Sequence, residues 1–217
     1  MQLVGGRKQE SFTCCCITSE CLELGIKMNN ILLGVGINDK QYPTKINAKI
    51  TKQYNTWYSM LERCYCQKYQ KTKPTYVGCT VSDNFKSYSY FYEWCNKQIG
   101  FGRDGWHLDK DIIHKNNKVY SEYSCSFVPS EINCFFCDCR SSRGEWPKGV
   151  YFDKERSLFR VQCMGYGKEQ SLGRFNNYEE AHQVYKQFKE KLCKEIANKW
   201  KSQIDIRVYN AMMFWSV

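Results

Sequence analysis

The sequence has no long apolar run and only three histidines. No stretch approaches the roughly 20 apolar residues that a membrane-spanning helix needs. No apolar signal region precedes Lys27 either, since Cys14-Cys15-Cys16 lies among polar residues. We therefore expect a cytoplasmic protein with no membrane partner. Its 14 cysteines are then expected to be reduced thiols, because disulfides are rare in that compartment.

Acidic residues are outnumbered, with 22 Asp and Glu against 32 Lys and Arg and a formal net charge of +10. Aromatic residues make up 16% of the chain. This combination favours a polyanionic partner, although a solvated lysine-rich surface would also explain the charge. The 217 residues are enough for one domain or for two to three small ones, and a hydrophobic content of 42% is enough for a core.

Helical spacing of apolar residues predicts two helices in the first half of the chain. The first covers about 54–69. The second covers about 85–98 and follows Ser82-Asp83-Asn84, a pattern typical of an N-cap. We expect the aromatic side chains of this second helix to lie in a core, because an apolar stripe on a helix usually faces inward.

The middle of the chain predicts two strands and a short helix. The first strand covers about 108–113 and is followed by a turn at Asn116-Asn117, and residues 120–129 form the second strand or a further turn. Ser130 opens the short helix, which ends near Cys137. Residues 1–27 show no such pattern and are predicted to be poorly ordered.

Residues 149–189 predict three short strands followed by an amphipathic helix that extends to about 201. The middle strand alternates apolar and polar side chains, so one sheet face is expected to pack on the helix and the other to stay open. Arg160 and Gln162 fall on the open side, where Arg contacts guanine or phosphate and Gln contacts adenine. Lys148, Tyr151 and Arg174 lie at strand ends and suit phosphate contacts.

The motifs of this segment are Gly149-Val150, Phe159-x-Val161, Leu172-Gly173-x-Phe175 and Glu179-Glu180-Ala181. The pattern resembles the plant ethylene-response-factor (APETALA-type) DNA-binding domain. The resemblance implies a three-stranded antiparallel sheet on one helix that binds double-stranded DNA through the open sheet face. It also implies that the positions with which the plant domain reads bases correspond here to Lys148, Tyr151, Gln162, Met164, Glu169 and Ser171. Most Arg and Trp residues of the plant pattern are absent, so its GC-rich target is not transferred.

A second group of motifs lies between Tyr54 and Asn133. They are Tyr54-x-x-Trp57-x-x-Met60-Leu61-x-Arg63-Cys64-Tyr65, Leu108-Asp109-Lys110-Asp111, Phe127-Val128-Pro129 and Asn133. This pattern resembles phage-encoded HNH (ββα-metal) or homing-endonuclease-like proteins. The resemblance implies cleavage of duplex DNA with one Mg²⁺ or another divalent cation. For a phage-encoded protein it also implies a location in the host cytoplasm.

The same resemblance assigns the catalytic positions. Asp109 takes the place of the metal-binding Asp and Asn133 that of the final metal-binding residue. Asn117, or its neighbour Asn116, takes the central Asn of the connecting turn. Lys110 stands where the family has its general-base His. A lysine is protonated near neutral pH and is therefore a poor base.

Three explanations of this replacement stay open. Asp111, His107 or His114 supplies the base, with Lys110 in a supporting role. Alternatively, the fold is retained and cleavage has been lost, which leaves a DNA-binding or regulatory protein. In the third, Asp109 and Asp111 only pair with lysines at a strand end.

Cysteine spacing gives weak support for a metal site. Cys134-x-x-Cys137 is the one pair with zinc-finger spacing near the final Asn, and Cys139 follows it. Structural zinc sites of this kind use two such pairs, so we expect no structural zinc.

The sequence therefore predicts an α+β protein with a central HNH-like (ββα-metal) module and a C-terminal three-stranded antiparallel sheet packed on one helix. We expect metal-dependent cleavage of DNA, guided by the C-terminal module. The predicted segments are an N-terminal extension (1–27), a nuclease-derived domain (28–140), a DNA-binding domain (146–201) and a tail (202–217).

Overall fold

A computed structural model describes residues 30–137 and 145–217 of the chain. It shows a mixed α+β protein, as predicted, whose contacts divide it into two compact units with the boundary between Tyr92 and Glu93. The predictions for 1–27 and for most of the 140–146 linker lie outside the described residues. None of the helices in the described ranges is long and apolar enough to cross a membrane.

The first unit contains two short hairpins followed by helices. Thr51 begins the first helix, because its hydroxyl accepts a hydrogen bond from the Tyr54 N–H. The predicted helix over 54–69 is two helices, broken at Cys66, where the backbone is extended. The elements are β1 (Ile31–Leu32), β2 (Gly36–Ile37), β3 (Lys45–Ile46), β4 (Lys49–Ile50), α1 (Lys52–Tyr65), α2 (Gln67–Thr72), a 3-10 turn (Pro74–Tyr76), β5 (Thr80–Val81), α3 (Asp83–Lys86) and α4 (Tyr88–Lys97), which crosses the boundary.

The predicted helix over 85–98 is also divided. Ser82 caps α3 as predicted, accepting from the Phe85 N–H at 3.4 Å. The helix breaks at Ser87, because this residue forms a parallel β-bridge with Ile37 and donates its hydroxyl hydrogen bond to Asp39 at 3.2 Å. A tertiary contact therefore overrides the helical spacing at this position.

Aromatic side chains form the interior of the first unit. Trp57, Phe85, Tyr88 and Phe91 have no exposed surface, and the Trp57 Nε1–H donates to the Phe85 carbonyl at 2.8 Å. The prediction that the aromatic stripe is core is confirmed. Burial of each such ring stabilises the fold by about 1.5–3 kcal/mol.

The second unit begins with a pair of short strands and a helix. Strand β6 ends at Asp109, so the predicted strand over 108–113 is wrong beyond that residue, and the predicted strand over 120–129 is two short strands. The short helix from Ser130 is confirmed. The elements are β6 (Trp106–Asp109), β7 (Val119–Tyr120), β8 (Ser126–Pro129), α5 (Ser130–Phe136), β9 (Val150–Asp153), β10 (Leu158–Gly165), β11 (Lys168–Phe175), α6 (Tyr178–Trp200) and α7 (Ile206–Met213).

The three predicted C-terminal strands form an antiparallel sheet in the order β11-β10-β9. Phe159, Val161 and Cys163 of β10 are buried and alternate with more exposed residues, which confirms the predicted face assignment. Ala181 and Tyr185 at the start of α6 cover these apolar side chains. Asn177 caps α6 by accepting from the Glu180 N–H, and the helix runs to Trp200, close to the predicted end.

The second half of α6 packs on a different core. Buried side chains from α5, α6 and α7 form one cluster, so α6 covers the sheet with its first half and the β6–β8–α5 segment with its second half. The tail predicted over 202–217 contains α7, which packs against α6. The members of this cluster are Ile112, Val128, Ile132, Phe135, Leu192, Cys193, Ile196, Ala197, Ile204, Val208 and Met212.

Candidate functional site

Strand β6 presents His107 and Asp109 on one face. It pairs antiparallel with β8, with His107 opposite Val128 and Asp109 opposite Ser126. Successive side chains of a strand point to opposite faces, so His107 and Asp109 share a face while the buried Leu108 points to the other. Helix α5 follows β8 directly, which brings its first turn to the start of β6.

A hydrogen bond joins His107 to the first residue of α5. The Nε2 of His107 lies 2.9 Å from the Oγ of Ser130, and the Ser130 hydroxyl donates to the Gly105 carbonyl at 2.7 Å. Because the serine uses its proton for Gly105, it accepts from His107 Nε2–H. This network favours the tautomer whose Nδ1 carries a lone pair. His107 is exposed, so this nitrogen is available as a proton acceptor.

Asn133 lies one helical turn after Ser130. Residues three apart lie on the same side of a helix, so Asn133 is on the side of α5 that carries Ser130. The Asn133 side chain is half-buried. The two predicted metal ligands, Asp109 and Asn133, make no hydrogen bond with each other.

The Asp109 carboxylate ends β6. Its Oδ1 accepts from the backbone N–H groups of Asp111 at 2.7 Å and Ile112 at 2.9 Å. These bonds turn the chain, which is why the predicted strand stops at Asp109. Burial raises the pKa of Asp109, and the two backbone hydrogen bonds oppose that rise. Oxygen Oδ2 takes no part in these bonds.

Lys110 is buried in a network that fixes the loop after β6. Its Nζ donates to Asp111 Oδ1 and to the Asn117 carbonyl at 2.9 Å, and lies 5.5 Å from the centroid of the Tyr120 ring. The side chain of Asn117 bonds to the same loop. Its Nδ2 donates to the Lys110 carbonyl at 2.8 Å and to the Val119 carbonyl at 2.6 Å. The ammonium of Lys110 is therefore held as a donor, in a supporting position.

His107 was one of three candidate bases in the sequence, and the structure distinguishes it from the others. Asp111 is tied to Lys110, and His114 is exposed in the loop beyond the strand. The period-2 spacing of His107 and Asp109 was a usable signal. The role of Ser130 had no local signal, because it lies 23 residues after His107.

The cysteines of the described ranges are free thiols. Cys134 and Cys137 are exposed, and Cys139 lies outside the described residues. Cys125 is buried, and burial raises the pKa of its thiol to about 12, with the nearby Asp109 adding to the rise. Where the structure describes the chain, no group of three or more His, Cys, Asp or Glu side chains is placed to hold a metal ion.

The open face of the sheet carries most of the predicted DNA-contacting residues. Arg160 lies opposite Tyr151 on β9 and Arg174 on β11, and its guanidinium is 5.8 Å from the Tyr151 ring centroid. Gln162 lies opposite Ser171 on the same face. The structure therefore brings these five side chains together on one surface.

Acidic side chains offset the basic ones on this face. Asp153 lies 3.3 Å from Arg156 and 3.8 Å from Arg174. Gln162 donates to Glu169. The sequence predicted Arg160 and Arg174 as DNA contacts, whereas their charges on this face are balanced by those of Asp153 and Glu169.

Lys148, another predicted DNA-contacting residue, lies before β9 and outside the three strands, and it is half-buried. His182 of α6 is half-buried. Its ring lies nearly parallel to that of Tyr185, and its Nδ1 is buried without a hydrogen-bond partner in the described ranges.

The positive charge is concentrated in the first unit. Between residues 30 and 92 the chain has nine Lys and Arg against three Asp and Glu, which accounts for more than half of the net charge of +10. The sequence motifs predicted DNA contacts in the second unit alone, whereas the excess of positive charge lies in the first.

Comparison of the chain with protein-family models, curated protein sequences and solved structures gave no match.

Proposed function

We propose that this protein binds duplex DNA and hydrolyses a phosphodiester bond at the β6–β8–α5 segment. The observation that carries the proposal is the shared face of His107 and Asp109, with His107 held by Ser130 at 2.9 Å. His107 is exposed and fixed through Nε2, and its Nδ1 makes no hydrogen bond to the described part of the chain. Such a histidine suits the removal of a proton from water. The likeness to phage HNH-type proteins and a cytoplasmic location belong to the same proposal.

In this mechanism, His107 accepts the proton of the attacking water through Nδ1. Ser130 fixes the ring by accepting from Nε2–H. Asp109 Oδ2 and the Asn133 amide oxygen are the donors that would hold Mg²⁺ or another divalent cation, because hard cations take oxygen ligands and Mg²⁺ keeps several waters. Such a cation would stabilise negative charge on the phosphate and the leaving oxygen.

Three further residues of the predicted catalytic set have a positioning role in this mechanism. Lys110, Asp111 and Asn117 hold the loop that follows Asp109. None of them is required to transfer a proton. A histidine at position 110 is then not required, since His107, three residues earlier on β6, supplies the base.

The open sheet face is the proposed contact of the second unit with DNA. Tyr151, Arg160, Gln162, Ser171 and Arg174 would contact phosphates and base edges. Because Asp153 already pairs with Arg174, we expect this face to orient the protein on DNA more than to increase its affinity for DNA.

A non-catalytic DNA-binding protein is the second candidate function. The ion pair between the buried Lys110 and the exposed Asp111 favours it, because the residue at the position of the family base has a structural role. Both candidates predict salt-sensitive DNA binding. Only the first predicts cleavage.

One experiment separates the two candidates. Supercoiled plasmid is incubated with the wild type and with Asp109→Ala, with and without Mg²⁺ or Mn²⁺, and DNA binding is measured in parallel. Metal-dependent nicking that Asp109→Ala abolishes supports the nuclease. Binding by both proteins without nicking supports the second candidate, and absence of binding at low salt contradicts both.

A further inference from the structure

The β3–β4 hairpin of the first unit is exposed over six consecutive residues, 45–50. Lys45 pairs with Ile50, and Ile46 pairs with Lys49. Directly opposite residues of an antiparallel pair point to the same face, so each face of the hairpin carries one lysine and one isoleucine. Ile46 and Ile50 are each 56% exposed. Both faces are therefore open to a partner.

The base of the hairpin is firmly held. The Thr51 N–H donates to the Thr44 carbonyl at 3.0 Å, and the Thr51 hydroxyl contacts the Tyr88 hydroxyl at 3.3 Å. Tyr88 in turn donates to the Pro43 carbonyl at 3.1 Å. Because Tyr88 is fully buried, these bonds anchor both ends of the hairpin to the core of the unit.

The tip is a two-residue turn in the left-handed conformation. Asn47 and Ala48 have φ values of 48° and 60°, as a type I′ turn requires. This turn matches the twist of the two strands, which gives a narrow twisted ribbon. A ribbon of two strands has the dimensions that the major groove of DNA admits.

The charge of the hairpin and its neighbourhood is positive. Lys45 and Lys49 have no ion-pair partner in the ranges that the structure describes. The nearest acidic residue before the hairpin is Asp39, whose carboxylate already accepts from the Ser87 and Ser89 hydroxyls. A polyanion is therefore the partner whose charge complements this element.

We propose that the β3–β4 hairpin is a nucleic-acid-binding element that enters a groove of duplex DNA. Lys45 and Lys49 contact phosphates, and Ile46 and Ile50 contact sugars and the thymine methyl group. The inference rests on the DNA-binding part of the proposed function. It places a DNA contact in the first unit, to which neither family resemblance assigned one.

The test compares two double variants with the same change in net charge. Lys45→Gln/Lys49→Gln removes the hairpin charges, and Lys68→Gln/Lys71→Gln removes two exposed lysines of α2 as the control. Affinity for a duplex is measured over a series of salt concentrations. We expect the hairpin variant to bind about tenfold more weakly at low salt and its salt slope to fall by nearly two, since each phosphate contact contributes about 0.9. The control should change affinity by less than about threefold.

A third variant, Ile46→Ser/Ile50→Ser, keeps the charge and tests the apolar contact. Weaker binding with an unchanged salt slope supports insertion into the groove. Equal losses for the hairpin and control lysine variants overturn the inference while leaving DNA binding intact. Loss of binding to phosphatidylserine vesicles, with DNA affinity unchanged, overturns it in favour of a membrane surface. Absence of DNA binding by the wild type removes both this inference and the proposed function.

Discussion

The ammonium nitrogen of Lys189 lies 3.7 Å from the centroid of the Phe135 ring. Phe135 belongs to α5, and Lys189 lies near the middle of α6, where that helix passes from the sheet to the β6–β8–α5 segment. Lys189 is buried, and this burial lowers the pKa of its ammonium group. Lys189 has no carboxylate partner within residues 30–137 and 145–217. Such a buried charge costs free energy that the contact with the ring recovers only in part.

We therefore expect Lys189→Met to stabilise the protein by about 1 kcal/mol at neutral pH. The unfolded chain binds more protons between the lowered pKa and the ordinary lysine value, so wild-type stability should rise with pH across that interval. The difference in unfolding free energy between Lys189→Met and the wild type should therefore become smaller as the pH rises across that interval. Urea denaturation at several pH values measures this, with the exposed Lys194→Met as control. A variant less stable than wild type at neutral pH contradicts the assignment.

Asn117→Ala should destabilise the protein by about 2 kcal/mol, because the Lys110 and Val119 carbonyls lose their donor. The neighbouring Asn116→Gly is the control, since Asn116 has a φ of 65° and glycine adopts that conformation readily. Chemical denaturation measures both. Equal effects of the two substitutions would show that the Asn117 side chain does not fix the loop.

Ser130→Ala should alter the pH dependence of cleavage. Without an acceptor at Nε2, the His107 ring is free to rotate and to change tautomer, so we expect nicking to fall about tenfold or more. The pH profile of the residual activity should also shift. Ser130→Thr keeps the hydroxyl and should restore most of the activity and the original profile. An unchanged profile in Ser130→Ala would contradict the positioning role.

Ala48→Gly should stabilise the protein by about 1 kcal/mol, because alanine is strained in the left-handed region that this turn uses. Ala211→Gly is a control of opposite sign, since Ala211 lies within helix α7, where glycine costs about 1 kcal/mol. Thermal unfolding of both variants tests the pair. Destabilisation by Ala48→Gly would contradict the turn conformation on which the hairpin inference relies.

The sequence predicted the elements whose residues interact locally. The alternation in β10 and the helical spacing of α6 identified the three-stranded sheet and its helix, because both patterns repeat over many residues. The break at Ser87 could not be predicted in this way. It results from contacts with Ile37 and Asp39, which lie some 50 residues earlier.

In the candidate site, too, local motifs identified some residues, whereas tertiary packing set the contacts between them. Asp109 and Lys110 were identified from a short motif, and His107 was one of three candidate bases. The predicted strand began at Leu108, so it did not place His107 beside Asp109. The hydrogen bond of His107 to Ser130 depends on the pairing of β6 with β8, which is followed by α5. The burial of Lys110 depends on its contacts with Asn117 and Tyr120 in the segment after β6. Such contacts are set by tertiary packing and leave no periodic signal in the chain.

The role of His107 is tested by comparing His107→Ala with His114→Ala in metal-dependent plasmid nicking. Both substitutions remove one exposed histidine, and only His107 shares a strand face with Asp109. We predict that His107→Ala loses nicking by about a hundredfold or more while its DNA affinity and stability match the wild type, and that His114→Ala nicks normally. Full activity in His107→Ala would contradict the assignment of His107 as the base.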